Sequence, residues 1–261
     1  MKTLGLFRKL GSVSLFVLII VAPGCGQTAG SPVTRAGNDA DDFNGERHSA
    51  EVQGQGKALV TRCESQVSAG ANCKVVVGFQ DAACVASPPL DLYGYSLARE
   101  ADGFHVGLRI HLTMLGVADA RADVILGKVL SCVPKIAGVW LRYGIHLNLN
   151  IQRDVNEGHY AAPETAVRLV DRSGRSNAAN YFFTDATENE VDVFCKVLLH
   201  ETGHILGLPD EYRDINAPER KFVSTEKRPW SVMADNYHHW EVLDFYPRHV
   251  RAVLAPLCHL N

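Results

Sequence analysis

"VLLHETGHILGLPDEY", residues 197–212, sets two histidines and a glutamate in an apolar run that ends in glycine and proline. On a helix His200 and His204 lie one turn apart, so both imidazoles leave the same face at a separation that one tetrahedral ion can bridge. Glu201 points about 100° around the axis, which suits holding a water beside the ion better than ligating it. Gly207 permits a sharp turn and Pro209 bars further helix, so the chain doubles back and returns Asp210 toward the two rings. Three protein donors leave a fourth position for water, as in catalytic rather than structural zinc sites. Glu211, the next residue, competes with Asp210 for the third place. Burying two rings and a carboxylate without partners beside Leu198, Leu199, Ile205 and Leu206 would be costly, which weighs against ordinary core histidines.

Outward from this stretch the pattern is α+β. "FHVGLRIHLTML" (104–115) reads as a strand, and Leu126, Val129, Val133, Ile136 and Trp140 form a helical stripe that Pro134 should kink or divide. "IHLNLNIQ" (145–152) alternates as a half-buried strand does, and "AVRLV" (166–170) and "NYFFT" (180–184) are shorter strand candidates. One helix is expected from near Asn189 to Leu206, and a last one from an Asp244 N-cap to about Leu254.

The string HETGHILGLPD resembles the extended signature of the metzincin metallopeptidases, H-E-x-x-H-x-x-G-x-x-H, with Asp210 in place of the third histidine. "WSVMAD" (230–235) resembles that family's Met-turn, with Met233 beneath the metal. The resemblance covers roughly residues 104–257. It implies a zincin-like fold: a twisted mixed sheet, a long helix, an active-site helix, the Met-turn and a C-terminal helix. It implies Zn²⁺ on His200, His204 and Asp210, with Glu201 as general base in hydrolysis of an internal peptide bond and Gly207 and Met233 as structural support. The family commonly has a tyrosine two residues after the methionine; that position is Asp235 here, and Tyr237 is the nearest candidate oxyanion stabiliser. Substrate in this family lies along an edge strand, for which 166–170 and 180–184 are candidates. A catalytically silent envelope binding module on the same fold is the alternative, and a non-proteolytic hydrolase using the same ion is a third reading; intact Glu201 argues for an enzyme.

The chain of 261 residues is 46% hydrophobic, enough for one sizeable core, and its net charge of -3 gives no basic footprint for nucleic acid. Lys2, Arg8 and Lys9 precede the apolar run "GSVSLFVLIIVAP", which is short for a membrane span and reads as a signal peptide over residues 1–24. It ends at Gly24–Cys25, which looks like a bacterial lipobox, so Cys25 is the expected lipidation site and the cell envelope the expected location, with simple secretion as the alternative. Residues 25–57 have the composition of a flexible tether, residues 58–100 form a small Cys-bearing subdomain or propeptide-like segment, and residues 101–261 the metallopeptidase domain. Setting Cys25 aside leaves six cysteines, suited to three disulfides in an oxidising compartment, with Cys63–Cys73 the pairing favoured by proximity. A latent form with Cys63, Cys73 or Cys84 on the zinc is a lesser alternative. His238 and His239 read as solvated, His105, His111 and His146 as ordinary strand histidines, and Asp210, Glu211 and Asp214 fall short of a calcium pattern.

Overall fold

The structure, a computed structural model, describes residues 39–78, 82–171, 176–182, 191–211, 231–234 and 243–258. These belong to one compact unit, Asn38–Asn261; a first unit, Met1–Gly37, lies outside the described residues. The expectations for the signal segment, Cys25, Asp214, Tyr237, His238 and His239 therefore fall outside them.

The described elements run α1 (Asp39–Glu64), β1 (Asn72–Val77), β2 (Ala82–Val85), β3 (Gly94–Glu100), β4 (Gly103–Thr113), α2 (Asp119–Leu141), β5 (Ile145–Asp154), β6 (Glu164–Val170), β7 (Asn180–Phe182), α3 (Val191–Ile205) and α4 (Pro247–Leu254). The class is α+β, with one mixed seven-stranded sheet. Strand β4 is its spine. β5 pairs in parallel along its full length, Phe104 opposite Ile145 to Thr113 opposite Asp154. The other edge of β4 is shared: antiparallel β3 takes residues 103–107 and parallel β6 takes 109–113. β1 and β2 extend the sheet beyond β3, and β7 pairs in parallel with β6. Thus β6 is interior, which removes 166–170 as an edge for substrate. β7 has no second strand partner among the described residues.

Each apolar stripe packs where its period directs it. On β5, Ile145, Leu147, Leu149 and Ile151 are buried while the alternate residues are partly or fully exposed. They face α2, whose buried stripe is Ala122, Ile125, Val129, Cys132, Ile136, Val139 and Trp140. Leu126 and Val133, expected in that stripe, lie at its margin. Pro134 does not divide α2, which is continuous over Asp119–Leu141. Pro134 and Leu130, whose carbonyl loses its amide donor, both lie on the exposed face, where water can replace the missing bond.

Three other expectations are corrected. Residues 39–57 are not tether but part of α1; Val52, Val60 and Cys63 are buried, and a Cβ at Gly56 would sit 2.5 Å from Tyr143 Cδ1, so the small residues that resembled a linker let the helix lie against that ring. Residues 58–100 are no separate subdomain, because β1, β2 and β3 are strands of the common sheet. The disulfides are Cys63–Cys258, Cys73–Cys84 and Cys132–Cys195, with Cα separations of 5.6, 5.5 and 5.0 Å. Cys63 leaves α1 toward α4 while Cys73 on β1 faces its hairpin partner β2, so proximity in sequence misled.

Helix α4 begins at Pro247, after Tyr246, and not at Asp244. The Asp244 carboxylate instead accepts bonds from Tyr143 Oη (2.8 Å) and Gln53 Nε2 (3.1 Å), and its carbonyl accepts the Val232 N–H (3.0 Å). Trp140 stacks on Phe245 at 3.9 Å. These contacts fasten residues 244 and 245 to the middle of α1 and the end of α2.

Candidate metal centre

Helix α3 delivers His200 and His204 from one face, and its ending delivers Asp210. The Gly207 N–H bonds the His204 carbonyl and the Leu208 N–H bonds the Gly203 carbonyl, both at 2.9 Å, a Schellman ending with Gly207 at φ 86°. A Cβ at 207 would meet Val77 Cγ1 at 3.3 Å, so β1 closes on the turn. The chain then reverses and brings Asp210 Oδ1 to 3.3 Å from His200 Nε2 and 3.2 Å from His204 Nε2. The two Nε2 atoms are 3.1 Å apart.

The other ring nitrogens decide what this triangle is. His200 Nδ1 lies 2.8 Å from the Val232 carbonyl and His204 Nδ1 2.8 Å from the Leu208 carbonyl. A carbonyl only accepts, so both Nδ1 atoms carry the proton and, in the neutral rings, both Nε2 atoms present lone pairs. Asp210 Oδ1 is buried and makes no hydrogen bond. Three electron pairs thus converge within 3.1–3.3 Å of each other, an arrangement that a bound cation would satisfy. Donors about an ion with Zn–N bonds of 2.0–2.1 Å lie about 3.3 Å apart when tetrahedral, so the set fits zinc. Carbonyl partners on Nδ1 are also the usual outer support of metal-binding histidines.

The local charge agrees. Burial works against the Asp210 carboxylate, but the imidazoles of His200 and His204 outweigh it and hold the carboxyl far below its ordinary range. Burial works to lower His204, yet Asp210 and then Glu201 raise it. Glu201 is buried, with Oε2 4.0 Å from His204 Nε2, close enough to serve the space beside the triangle.

Glu211 is turned away. Its fully buried side chain pairs with Arg248 and accepts the His249 Nε2–H at 2.8 Å on Oε1, while its N–H bonds the Met233 carbonyl at 2.9 Å. His249 Nδ1 accepts the Tyr246 N–H at 3.0 Å, which fixes that tautomer. Glu211 therefore anchors the turn to α4, and the two adjacent acids divide their tasks. Met233 is fully buried, and a Cβ at Gly203 would stand 2.5 Å from its sulfur. The short segment Ser231–Ala234 thus supplies the Val232 carbonyl to His200, the Met233 carbonyl to Glu211 and a thioether against α3.

Two residues escaped the sequence. Tyr93, before β3, and Tyr181, on β7, have phenols raised first by burial and then by the Glu201 charge, so both stay protonated donors at neutral pH near that carboxylate. No motif marks them; only the tertiary fold brings them within electrostatic reach of Glu201.

No family model matches the chain, and no curated protein does. Among solved structures it is similar to a chain in a structure of a chaperone-substrate complex, at 12% identity and a TM-score of 0.33 over 73% of this chain. It spans 42% of that chain's length, and so distant a likeness does not define a shared fold.

Proposed function

We propose that the protein is a zinc-dependent endopeptidase of metzincin-like type, exported and lipid-anchored at Cys25 in a bacterial cell envelope. The single observation that carries this is the convergence of His200 Nε2, His204 Nε2 and Asp210 Oδ1, with both Nδ1 atoms turned to carbonyls. His200, His204 and Asp210 would hold the zinc ion. Bound there, zinc would lower the pKa of a water to about 7 and polarise a peptide carbonyl. Glu201 takes the proton of the attacking water on its carboxylate and passes it to the leaving amine. The buried apolar surroundings of α3 keep that carboxylate in a low dielectric, where a positioned charge acts strongly. The Ser231–Ala234 segment serves as the Met-turn. Tyr237, the tyrosine nearest the family's position, is the candidate oxyanion donor, with Tyr93 a second phenol within electrostatic reach of Glu201. Extended peptide substrate would add to β7, which has no second strand partner among the described residues. Three disulfides support an oxidising location.

The test is cleavage of an unfolded protein substrate by the zinc-loaded chain. Wild type should cleave and Glu201→Gln should not, while the variant binds zinc with unchanged stoichiometry. Equal cleavage by both would remove Glu201 from the reaction. Zinc binding with no cleavage of any peptide by wild type would favour the silent binding module.

A further inference from the structure

A second group of metal-ligating side chains sits at the start of β4 and β5. The parallel register makes His105 and His146 direct cross-strand partners, so both rings stand on one face of the sheet. The rings stack with centroids 4.6 Å apart and planes 9° from parallel. The tight β3–β4 connection then places Asp102 across their edges: Oδ1 is 2.8 Å from His105 Nε2 and Oδ2 is 4.0 Å from His146 Nε2. Glu100 Oε2 lies 3.8 Å from His105 Nε2. One donor atom from each of Asp102, His105 and His146 lies within 4.8 Å of the others.

We propose that Asp102, His105 and His146 form a second site, one that takes a divalent transition-metal ion of the zinc or copper class. Two imidazoles and a carboxylate suit zinc, copper and nickel, whereas calcium and magnesium take oxygen donors. The group is open to solvent, so water completes the coordination, and Glu100 supplies further negative charge beside it. Coordination through Nε2 moves the His105 ring proton, now shared between Nε2 and Asp102, to Nδ1, and turns the two rings toward a common ion. The site shares no residue with the centre on α3 and stands whether or not that centre is catalytic.

Zinc titration of the purified full chain by calorimetry, beside His105→Gln/His146→Gln, tests this. Wild type should bind one equivalent more than the variant, whatever number the α3 centre takes. Equal stoichiometry would overturn the proposal. Histidine ring-proton resonances of wild type give a readout that needs no variant to fold. Zinc should shift the His105 and His146 signals, Asp102→Asn should weaken that response, and calcium should cause none. Unmoved signals at saturating zinc, or an equal response to calcium, would refute it.

Discussion

Gly207→Ala isolates the turn that brings Asp210 back to the histidines. At φ 86° a residue with a Cβ is strained, by about 1–2 kcal/mol. The added carbon would also stand 3.3 and 3.4 Å from the two Val77 methyls, so β1 must yield by a few tenths of an ångström. Together these predict a loss of about 2 kcal/mol, read as a lower urea midpoint at unchanged m-value. Val77→Ala in the same chain should restore only the contact part, and Gly207→Asn should cost less than alanine because asparagine tolerates this conformation. Leu208, the next residue, offers its carbonyl to His204 Nδ1, so zinc affinity should also fall by about tenfold or more. A Gly207→Ala protein as stable as wild type, with full zinc affinity, would refute the account of the turn.

Asp210→Ala should abolish zinc binding at the α3 centre while the apo protein stays folded. Glu211→Ala should destabilise by about 3 kcal/mol or more, by leaving Arg248 and His249 without their buried carboxylate; denaturation beside zinc titration separates the two. Serine at Cys132 and Cys195 releases a closure of 63 residues and should cost about 4 kcal/mol in the chain-entropy picture, measured by thermal unfolding. Burial would raise the Asp154 carboxyl, but Tyr160 and then His111 outweigh it and hold it below its ordinary value. A depressed folded value contributes stability that is present above the unfolded pKa of about 3.9 and lost as pH falls through the folded one. The stability gap between wild type and Asp154→Asn should therefore narrow as pH falls below about 4, and a gap that widened there would contradict the pairing.

Local patterns were legible because their signals are local. The alternation in 145–152, the stripe from Leu126 to Trp140 and the His200–His204 spacing each follow from one element's period, and β5, α2 and α3 lie where those periods direct. What escaped depends on distant partners. Residues 39–57 resemble a linker by composition, yet Gly56 is small because Tyr143 lies against it. Asp244 has a capping residue's chemistry but is bound by Tyr143 and Gln53. The choice between Asp210 and Glu211 turned on which faces α3 and which faces α4, and that depends on the fold of the whole segment. His105 and His146, unremarkable in their own strands, become neighbours only through the β4–β5 register.

Anomalous diffraction at the zinc edge from crystals soaked in zinc tests the central claim most directly. The account predicts a peak bound by His200 Nε2, His204 Nε2 and Asp210, with both Nδ1 atoms still on the Val232 and Leu208 carbonyls and a solvent oxygen as fourth donor. A peak held by Glu211, by an Nδ1 atom or by four protein donors would contradict it, as would no peak on α3 at all.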